Sequence, residues 1–490
     1  MDPTINIKGS SMRVTGEDHL RFARPSEIGL DVKRFYCSLT PSEMSYDFLY
    51  TPPTGTLDIQ NPDIQIPLSK QAISSVTDIQ KKDIQIPLNK QVTGAASEGT
   101  FVQLLSRGPQ DVYLTYVPEM SFFKRIYKRY TNFAIEHSEE KFSTTVRFGT
   151  KNTISLSKRG DLVGSMILRV VLPNLNITGG TWKQTIGYNI LEKVILRIGD
   201  TIVQTTEGLW LDIDDKLFCP DSKLAGLNKL VRRDEILATN TSHELLIPLK
   251  FFCCKNSTNK QQFIPILNLQ TNINVYVDFN LKPLSSLVNI PTTSQIPDSV
   301  SLNAGLITEY IFLDDSEKFR FAQSATNLMI DMVYSIDKNT FLTTTNGQIV
   351  NQSKIDIELR ELNKPVKYFA IVAYPENDFS GFEYSNIFEK GTFYINNDQQ
   401  FNSRSSEYFT LIQTYQHGKR CNSTDNILLF SFSLDALAYQ PNGSLNFSPF
   451  TKTKFSFDII PQTDAKQIKL FAVCVNFIIF ENGLARMLFI

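Results

Sequence analysis

The stretch TNINVYVDFNL, residues 271–281, decides the fold class. Ile273, Val275, Val277, Phe279 and Leu281 alternate with polar or exposed positions. A period of two places all five side chains on one face of a half-buried strand. Working outward, LLFSFSL at 428–434 repeats the pattern with Leu428, Phe430, Phe432 and Leu434, and KFSFDII at 454–460 with Phe455, Phe457 and Ile459. Gly199-Asp200 between VILRI and TIVQ reads as a tight hairpin turn. Such short runs, separated by turn signals, continue across nearly 400 residues and predict sandwiches or barrels rather than βαβ units. The content of 35 Phe and 18 Tyr leans the same way. Only two places read as helix. DSEKFRFAQ, 315–323, has Asp315 or Ser316 as N-cap. SFFKRIYKRY, 121–130, has Phe122, Phe123, Ile126, Tyr127 and Tyr130 at helical spacing, but its aromatic content suits a strand equally.

The chain has 490 residues, a length that suggests about three domain-sized units at roughly 150 residues each. The 49 Lys and Arg nearly balance the 50 Asp and Glu, so a strongly basic nucleic-acid coat and an acidic solvating tail are both excluded as whole-chain identities. With 42% hydrophobic and 20% charged residues the chain is not broadly disordered. Cys37, Cys219, Cys253, Cys254, Cys421 and Cys474 show neither metal-site nor redox-motif spacing and read as reduced intracellular thiols. The N-terminus lacks the apolar core of a signal peptide. The longest apolar stretch, near Ile468 to Phe480, is interrupted by Lys469 and Asn476 and is shorter than the ~18 residues of a membrane helix.

No catalytic constellation emerges, and no cofactor or metal is expected. His19, His137, His243 and His417 form no zinc motif, and no phosphate-binding glycine loop or nucleophile elbow is present. Asp212, Asp214 and Asp215 are the densest carboxylates; without the glycine and distal glutamate of a calcium loop, they read as a solvated loop. His417, Gly418, Lys419 and Arg420 read as an exposed loop that could contact an anion. The basic-aromatic run from Lys124 to Tyr130 could stack on nucleic acid, but a structural element with its aromatics in the core is the better reading. Sequons at Asn176, Asn240, Asn256, Asn351, Asn422, Asn442 and Asn446 read as chance matches in a polar surface.

Residues 1–100 differ from the rest. LDIQNPDIQIPLSKQ at 57–71 recurs as TDIQKKDIQIPLNKQ at 77–91; Asp58, Ile59, Gln60 and Pro67 match Asp78, Ile79, Gln80 and Pro87. Two copies cannot stack a solenoid core. A flexible duplicated arm and a pair of short strands that dock on a partner both fit. Ten basic against twelve acidic residues exclude a genome-binding arm.

The run SRGPQDVYLTYVPEMSFFKRIYKRYTNFAIE, 106–136, resembles the N-terminal signature of the major capsid proteins of nucleocytoplasmic large DNA viruses, the double jelly-roll coat proteins of iridoviruses, phycodnaviruses and mimiviruses. The matching residues include Gln110, Asp111, Tyr113, Leu114, Thr115, Pro118, Phe122, Phe123, Lys124, Tyr127, Arg129, Asn132 and Phe133. Further matches follow in order: the hairpin and Trp210 segment at 198–213, LIPLKFFCCKN with Pro248, EYIFLDDSEKFRFAQ with Phe321, LNKPVKYFAIV with Pro365, FNSRSSEYFTLIQTYQHG with Gln416, and YQPNGSLNFS with Pro441, Gly443, Asn446 and Phe447. Tyr116 and Val117 replace the family's usual Gly-Asn turn, Phe252 and Ala370 stand where it often has Trp, and 100 residues precede the signature.

The resemblance implies an all-β chain of two eight-stranded jelly rolls in tandem, 101–314 and 324–490, joined by a 315–323 linker helix. It implies no enzyme. The expected function is a structural capsid protein that forms trimeric, pseudo-hexagonal capsomers, with a minor capsid paralogue or an assembly scaffold as alternatives and a carbohydrate-binding or cupin-like jelly roll as a remote one. Expected partners are its own copies or a paralogue, neighbouring capsomers, and minor capsid proteins or the inner viral membrane through residues 1–100, without direct nucleic-acid contact. The expected location is the virion capsid, assembled in the host cytoplasm.

Overall fold

The computed structural model describes residues 4–7, 10–13, 98–123, 127–233, 235–254, 262–291, 295–297, 300–339, 343–345, 348–350, 353–375, 382–421, 424–462 and 466–489. The two repeat copies at 57–71 and 77–91 lie outside these residues, as do Cys37 and Lys124.

The chain divides into Met1–Phe122 and Phe123–Ile490. The first unit holds an antiparallel hairpin, Thr4–Ile7 with Ser10–Arg13, and helix α1, Glu98–Leu105. After α1 come a 3-10 turn at Pro109–Asp111 and a single helical turn at Val112–Thr115. Asp111 closes that turn by accepting from the Gly108 amide at 2.7 Å.

Beside short two-residue strands, the second unit begins with eight strands of five residues or more among the described residues: β1 Phe133–Lys141, β2 Lys151–Ser155, β3 Leu162–Leu172, β4 Leu191–Ile198, β5 Thr201–Thr206, β6 His243–Pro248, β7 Val275–Leu281 and β8 Ser301–Leu313. They form two antiparallel sheets, ordered β6-β3-β8-β1 and β2-β7-β4-β5. The helix Asp315–Gln323 leads to a second set: β9 Thr326–Asn339, β10 Lys354–Glu358, β11 Pro365–Pro375, β12 Phe388–Ile395, β13 Asp398–Gln399, β14 Arg404–Ser405, β15 Leu428–Ser431, β16 Thr453–Ile459 and β17 Lys466–Glu481. Their sheets run β9-β17-β11-β15 and β10-β16-β12, with β13 and β14 sharing the last edge. Strand for strand the two orders are the same. Each set is a jelly roll, in which sequential strands alternate between two facing sheets.

Alternation works as expected in β7 and β16: Val275, Val277, Phe279 and Leu281 are buried, as are Phe455, Phe457 and Ile459. Ile273 precedes β7 and is only partly buried. Ile198 pairs with Thr201 across the Gly199-Asp200 turn, where Gly199 has φ 58°. In LLFSFSL the alternation ends early. Strand β15 stops at Ser431, Leu429 is buried on the opposite face, and Leu434 is exposed. The second core is packed with Phe369, Phe393, Phe409, Phe430, Phe447, Phe455 and Phe457. Phe393 and Phe455 lie 4.6 Å apart, and Phe369 meets Phe447 and Phe455 edge-on at 5.7 and 5.3 Å. Tilted and edge-on rings at these spacings add about 0.5–1.5 kcal/mol per pair beyond their area.

Three further helices matter. Helices α2, Gly208–Phe218, and α3, Asp221–Val231, are each eleven residues long and were not expected from the sequence. Helix α4, Asp315–Gln323, has the expected range, but its N-cap is Asp314, whose carbonyl accepts from Glu317 and Lys318. The 121–130 run is neither helix nor strand at its described residues.

The rolls share one junction. Residues 366–374 of β11 are all buried. Val366, Phe369, Ile371 and Ala373 point into the second roll's core, while Tyr368, Ala370, Val372 and Tyr374 join the first roll's core. Helix α2 sits against that outer face, with Trp210 5.2 Å from Phe471 and 6.5 Å from Tyr368. Gly208 lets the helix start this close to the chain: a Cβ there would lie 2.0 Å from the Tyr188 carbonyl oxygen.

Candidate assembly surfaces and the acidic junction

Asp212, Asp214 and Asp215 are not a solvated loop. They lie on α2, with Asp212 and Asp215 fully buried. Three cations answer them. Arg233 reaches Asp212 at 2.8 Å and Asp215 at 3.3 Å, Lys216 reaches Asp212 at 3.1 Å, and Lys250 reaches Asp214 at 2.6 Å and also bonds Asp215. Tyr188 donates to Asp215 at 2.6 Å, and Tyr384, from the second roll, donates to Asp212 at 2.8 Å. Three carboxylates and three cations leave the cluster neutral. Burial pushes Asp214 up, and Lys250 only partly offsets it. Burial works against the charge on Lys250, yet Asp214 and Asp215 outweigh it and raise the ammonium above its usual value. The Tyr188 and Tyr384 hydroxyls are held well above their usual value by burial and by the carboxylates they bond. Every one of these groups is fixed in an ion pair or hydrogen bond; all but Tyr384 belong to the first roll, so the cluster anchors α2 there and meets the second roll through Tyr384.

The sequence signal for this helix was present. Leu209, Ile213 and Leu217 recur at four-residue spacing, the stripe of a buried helix face. The acidic residues between them drew the solvated reading, because their partners lie up to 172 positions away.

The loop after the short helix Gln413–His417 is likewise a contact and not free. Lys419 and Arg420 amides donate to the Leu217 carbonyl at 2.9 and 3.2 Å, and the Arg420 side chain bonds Asp221 at 2.8 Å. His417 is half-buried, and burial lowers its pKa. Beyond the junction, the rolls are also tied by the turn after β17, where Gln270 donates through its amide to Gly483 at 2.9 Å and through its side chain to Asn482 at 3.2 Å. A small cleft of about 130 Å³ lies beside Trp210, Lys250, Asp331 and Lys367, and Lys367 and Asp331 pair across it at 2.9 Å. Among the described residues, no group of three His, Cys, Asp or Glu could hold a metal, and no helix is long and apolar enough to cross a membrane. Cys219, Cys253, Cys254 and Cys474 are buried thiols that form no disulfide, and Cys421 is an exposed one.

The signature residues fall into two classes. Trp210 and Phe447 are core side chains. Pro248 ends β6, Pro365 opens β11 and pairs with Asn446, and the Phe321 carbonyl accepts from Asn268. Asn446 also accepts from the Ser448 amide at 3.0 Å. Gly443 has φ 136°, a conformation open only to glycine, and a Cβ there would lie 2.7 Å from the Phe432 carbonyl. Gln416 and Pro441 are exposed. The N-terminal signature behaves differently. Gln110, Tyr113, Leu114, Thr115, Pro118, Phe122, Phe123, Tyr127, Arg129, Asn132 and Phe133 are all exposed, and Asp111 is half-buried. The described aromatics expected in the core are therefore exposed, because none of the described residues of the segment lies in a strand before Phe133. Val117, at the position of the usual Gly-Asn turn, has φ 50°, where a β-branched residue is strained.

Comparison with known proteins agrees with this architecture. Residues 121–314 match the family model described as major capsid protein N-terminus, and residues 317–485 match that of the large eukaryotic DNA virus major capsid protein. The major capsid protein of Pyramimonas orientalis virus is 28% identical over 79% of this chain and 98% of its own length. That of Paramecium bursaria Chlorella virus 1 is 26% identical over 71% of this chain and 85% of its own. A quasi-atomic structure of the PBCV-1 capsid superposes with a TM-score of 0.65 at 22% identity, covering 76% of this chain and all of that one. With the same two jelly rolls in the same order and both halves matched by models of one family, this chain belongs to the major capsid proteins of large eukaryotic DNA viruses.

Proposed function

We propose that this protein is a non-enzymatic building block of an icosahedral capsid and acts as a homotrimer. One observation carries the reading: two rolls of the same strand order lie side by side, with β11 shared by both cores and Tyr384 of the second roll bonded to Asp212 in the buried, charge-balanced cluster of the first. Three such chains present six similar sandwiches, so threefold symmetry yields a near-hexagonal tile. Rigid coupling matters here, because a tile whose halves rotated freely would not hold a lattice. The near-zero net charge of -1 lets copies pack without strong mutual repulsion. A paralogue could replace one copy at special lattice positions.

The signature residues act as structural supports for this tile, with boundaries near 101–314, 315–323 and 324–490. Residues 1–100 form an arm that meets neighbouring capsomers, minor capsid proteins or the inner membrane, and assembly takes place in the host cytoplasm. Sedimentation equilibrium of the full chain tests the trimer, with three times 55.7 kDa expected. A dispersed monomer at micromolar concentration in virion-like salt overturns it. Quantitative mass spectrometry of purified particles separates a major coat protein from a minor one by copy number.

A further inference from the structure

Cys253 and Cys254 follow β6 in a turn closed by the Cys254 amide, which donates to the Phe251 carbonyl at 2.9 Å. The turn brings two neighbouring side chains into the same core: Cys253 is 0% and Cys254 3% exposed. There the Cys253 thiol is hydrogen-bonded to the Cys254 sulfur. The other buried thiols are placed differently. Cys219 donates to the Pro220 carbonyl at 3.6 Å, and Cys474 to that of Ala472 at 3.9 Å. A small apolar residue fills a core as well as a cysteine does, so packing alone does not account for two sulfurs in contact.

The contact also sets an order of reaction. Burial holds the Cys253 thiol well above its usual value, and its bond to Cys254 raises it further, so Cys253 keeps its proton. Burial raises Cys254 too, but the bonds from the Cys253 thiol and from the Met166 and Phe251 backbones outweigh it and lower the group below its usual value. Cys254 is thus the attacking sulfur, with a second thiol beside it to resolve the product.

We propose that Cys253 and Cys254 form a redox modification site, whose oxidant is hydrogen peroxide and whose product is a disulfide between the two neighbours. In the first step the Cys254 sulfur attacks one peroxide oxygen. The O–O bond breaks, the sulfur becomes a sulfenic acid, and one water leaves. In the second step the Cys253 sulfur attacks the Cys254 sulfur. The S–S bond forms, the S–O bond breaks, and the Cys253 proton leaves with the hydroxyl as a second water. Two thiols and one peroxide give one disulfide and two waters. Peroxide is scarcely larger than water, so local opening of the turn admits it where a bulky disulfide oxidant is shut out. Neighbouring Cα atoms stand about 3.8 Å apart, short of the roughly 4.4–6.8 Å of ordinary disulfides, so the bond is strained and easily reduced again. The site lies where the rolls meet. The Phe252 amide donates to Gln204 at 2.8 Å, and the Gln204 side chain donates to the Asp331 carbonyl on β9 at 2.5 Å.

The test treats the folded full chain with hydrogen peroxide, then alkylates it in denaturant, digests it with trypsin and weighs the peptides. Trypsin releases both thiols in one peptide, residues 251–255. That peptide should be lighter by two hydrogens and resist alkylation, and dithiothreitol should restore both thiols. Cys219 and Cys474 should be oxidised at least about tenfold more slowly. Cys253→Ala should leave a sulfenic acid at Cys254 that dimedone traps, while Cys254→Ala should leave Cys253 reduced at the same peroxide concentration. The wild-type reading needs no variant, so it decides the matter if either one misfolds. The exposed Cys421 reports that the oxidant has acted. A 251–255 peptide still fully alkylated once Cys421 is oxidised overturns the assignment, as does a disulfide from either thiol to Cys421 or to another chain.

Discussion

Arg233→Met puts the junction under direct strain. Arg233 is 9% exposed and is the group shared by Asp212 and Asp215, which are 0% and 3% exposed. Methionine roughly preserves the stem and removes the charge. Asp212 then keeps Lys216 and Tyr384, and Asp215 keeps Lys250 and Tyr188, but the cluster carries one uncompensated buried negative charge. Breaking a buried pair from one side costs about 3–5 kcal/mol. For a cooperative unit of about 370 residues, with ~2.1 cal/mol/K per residue, that corresponds to a Tm lower by roughly 4–6 °C. Differential scanning calorimetry of the full chain measures it. Arg360→Met is the matched control: its partner Glu358 is 55% exposed and Arg360 is 64% exposed, so less than about 1 kcal/mol is at stake. If Arg233→Met and Arg360→Met shifted Tm equally, the buried cluster on α2 would not stabilise the fold as described above.

Three other outcomes follow from the geometry. Phe447→Ala empties the centre of the second roll's ring cluster and should cost about 3–5 kcal/mol, seen as a Tm drop and a near-ultraviolet change. Gly208→Ala drives a methyl against the Tyr188 and Leu191 carbonyls, 2.0 and 2.5 Å from its Cβ, and should leave little folded protein in a soluble-expression assay. Burial alone would raise Asp278, but hydrogen bonds from Arg197, Lys151 and Thr153 outweigh it and hold the carboxyl below 3.8. A lowered folded-state value means that its contribution is present above pH 3.8 and is lost as pH falls through the folded value. Asp278→Asn should therefore flatten the acid limb of the stability curve in urea titrations run downward from pH 3.8; an unchanged limb refutes this.

The strands were legible because their cause is local. Val275, Val277 and Phe279 alternate whatever surrounds them, and Gly199 needs only its own φ. The order of the strands within the sheets was not legible, since no local pattern states which strand lies beside which; the family likeness implied only two eight-stranded rolls. Helix α2 was misread for a long-range reason. Its carboxylates look like a solvent-facing run until Arg233, Lys250 and Tyr384 arrive from other parts of the chain. The basic-aromatic run failed differently: high hydrophobicity predicted burial, and the structure leaves Tyr127 and Tyr130 exposed. Leu434 shows the limit of periodicity alone, since the alternation continues past the end of β15 into a loop.

In the proposed tile of the shell, three chains each contribute two coupled rolls. A cryo-EM map of purified particles at side-chain resolution tests it most directly. The account predicts trimeric capsomers in which each chain contributes two upright jelly rolls, with Trp210 and Tyr384 seen at the junction between them. A shell in which density for this chain is missing, or in which its two rolls belong to different capsomers, would contradict it.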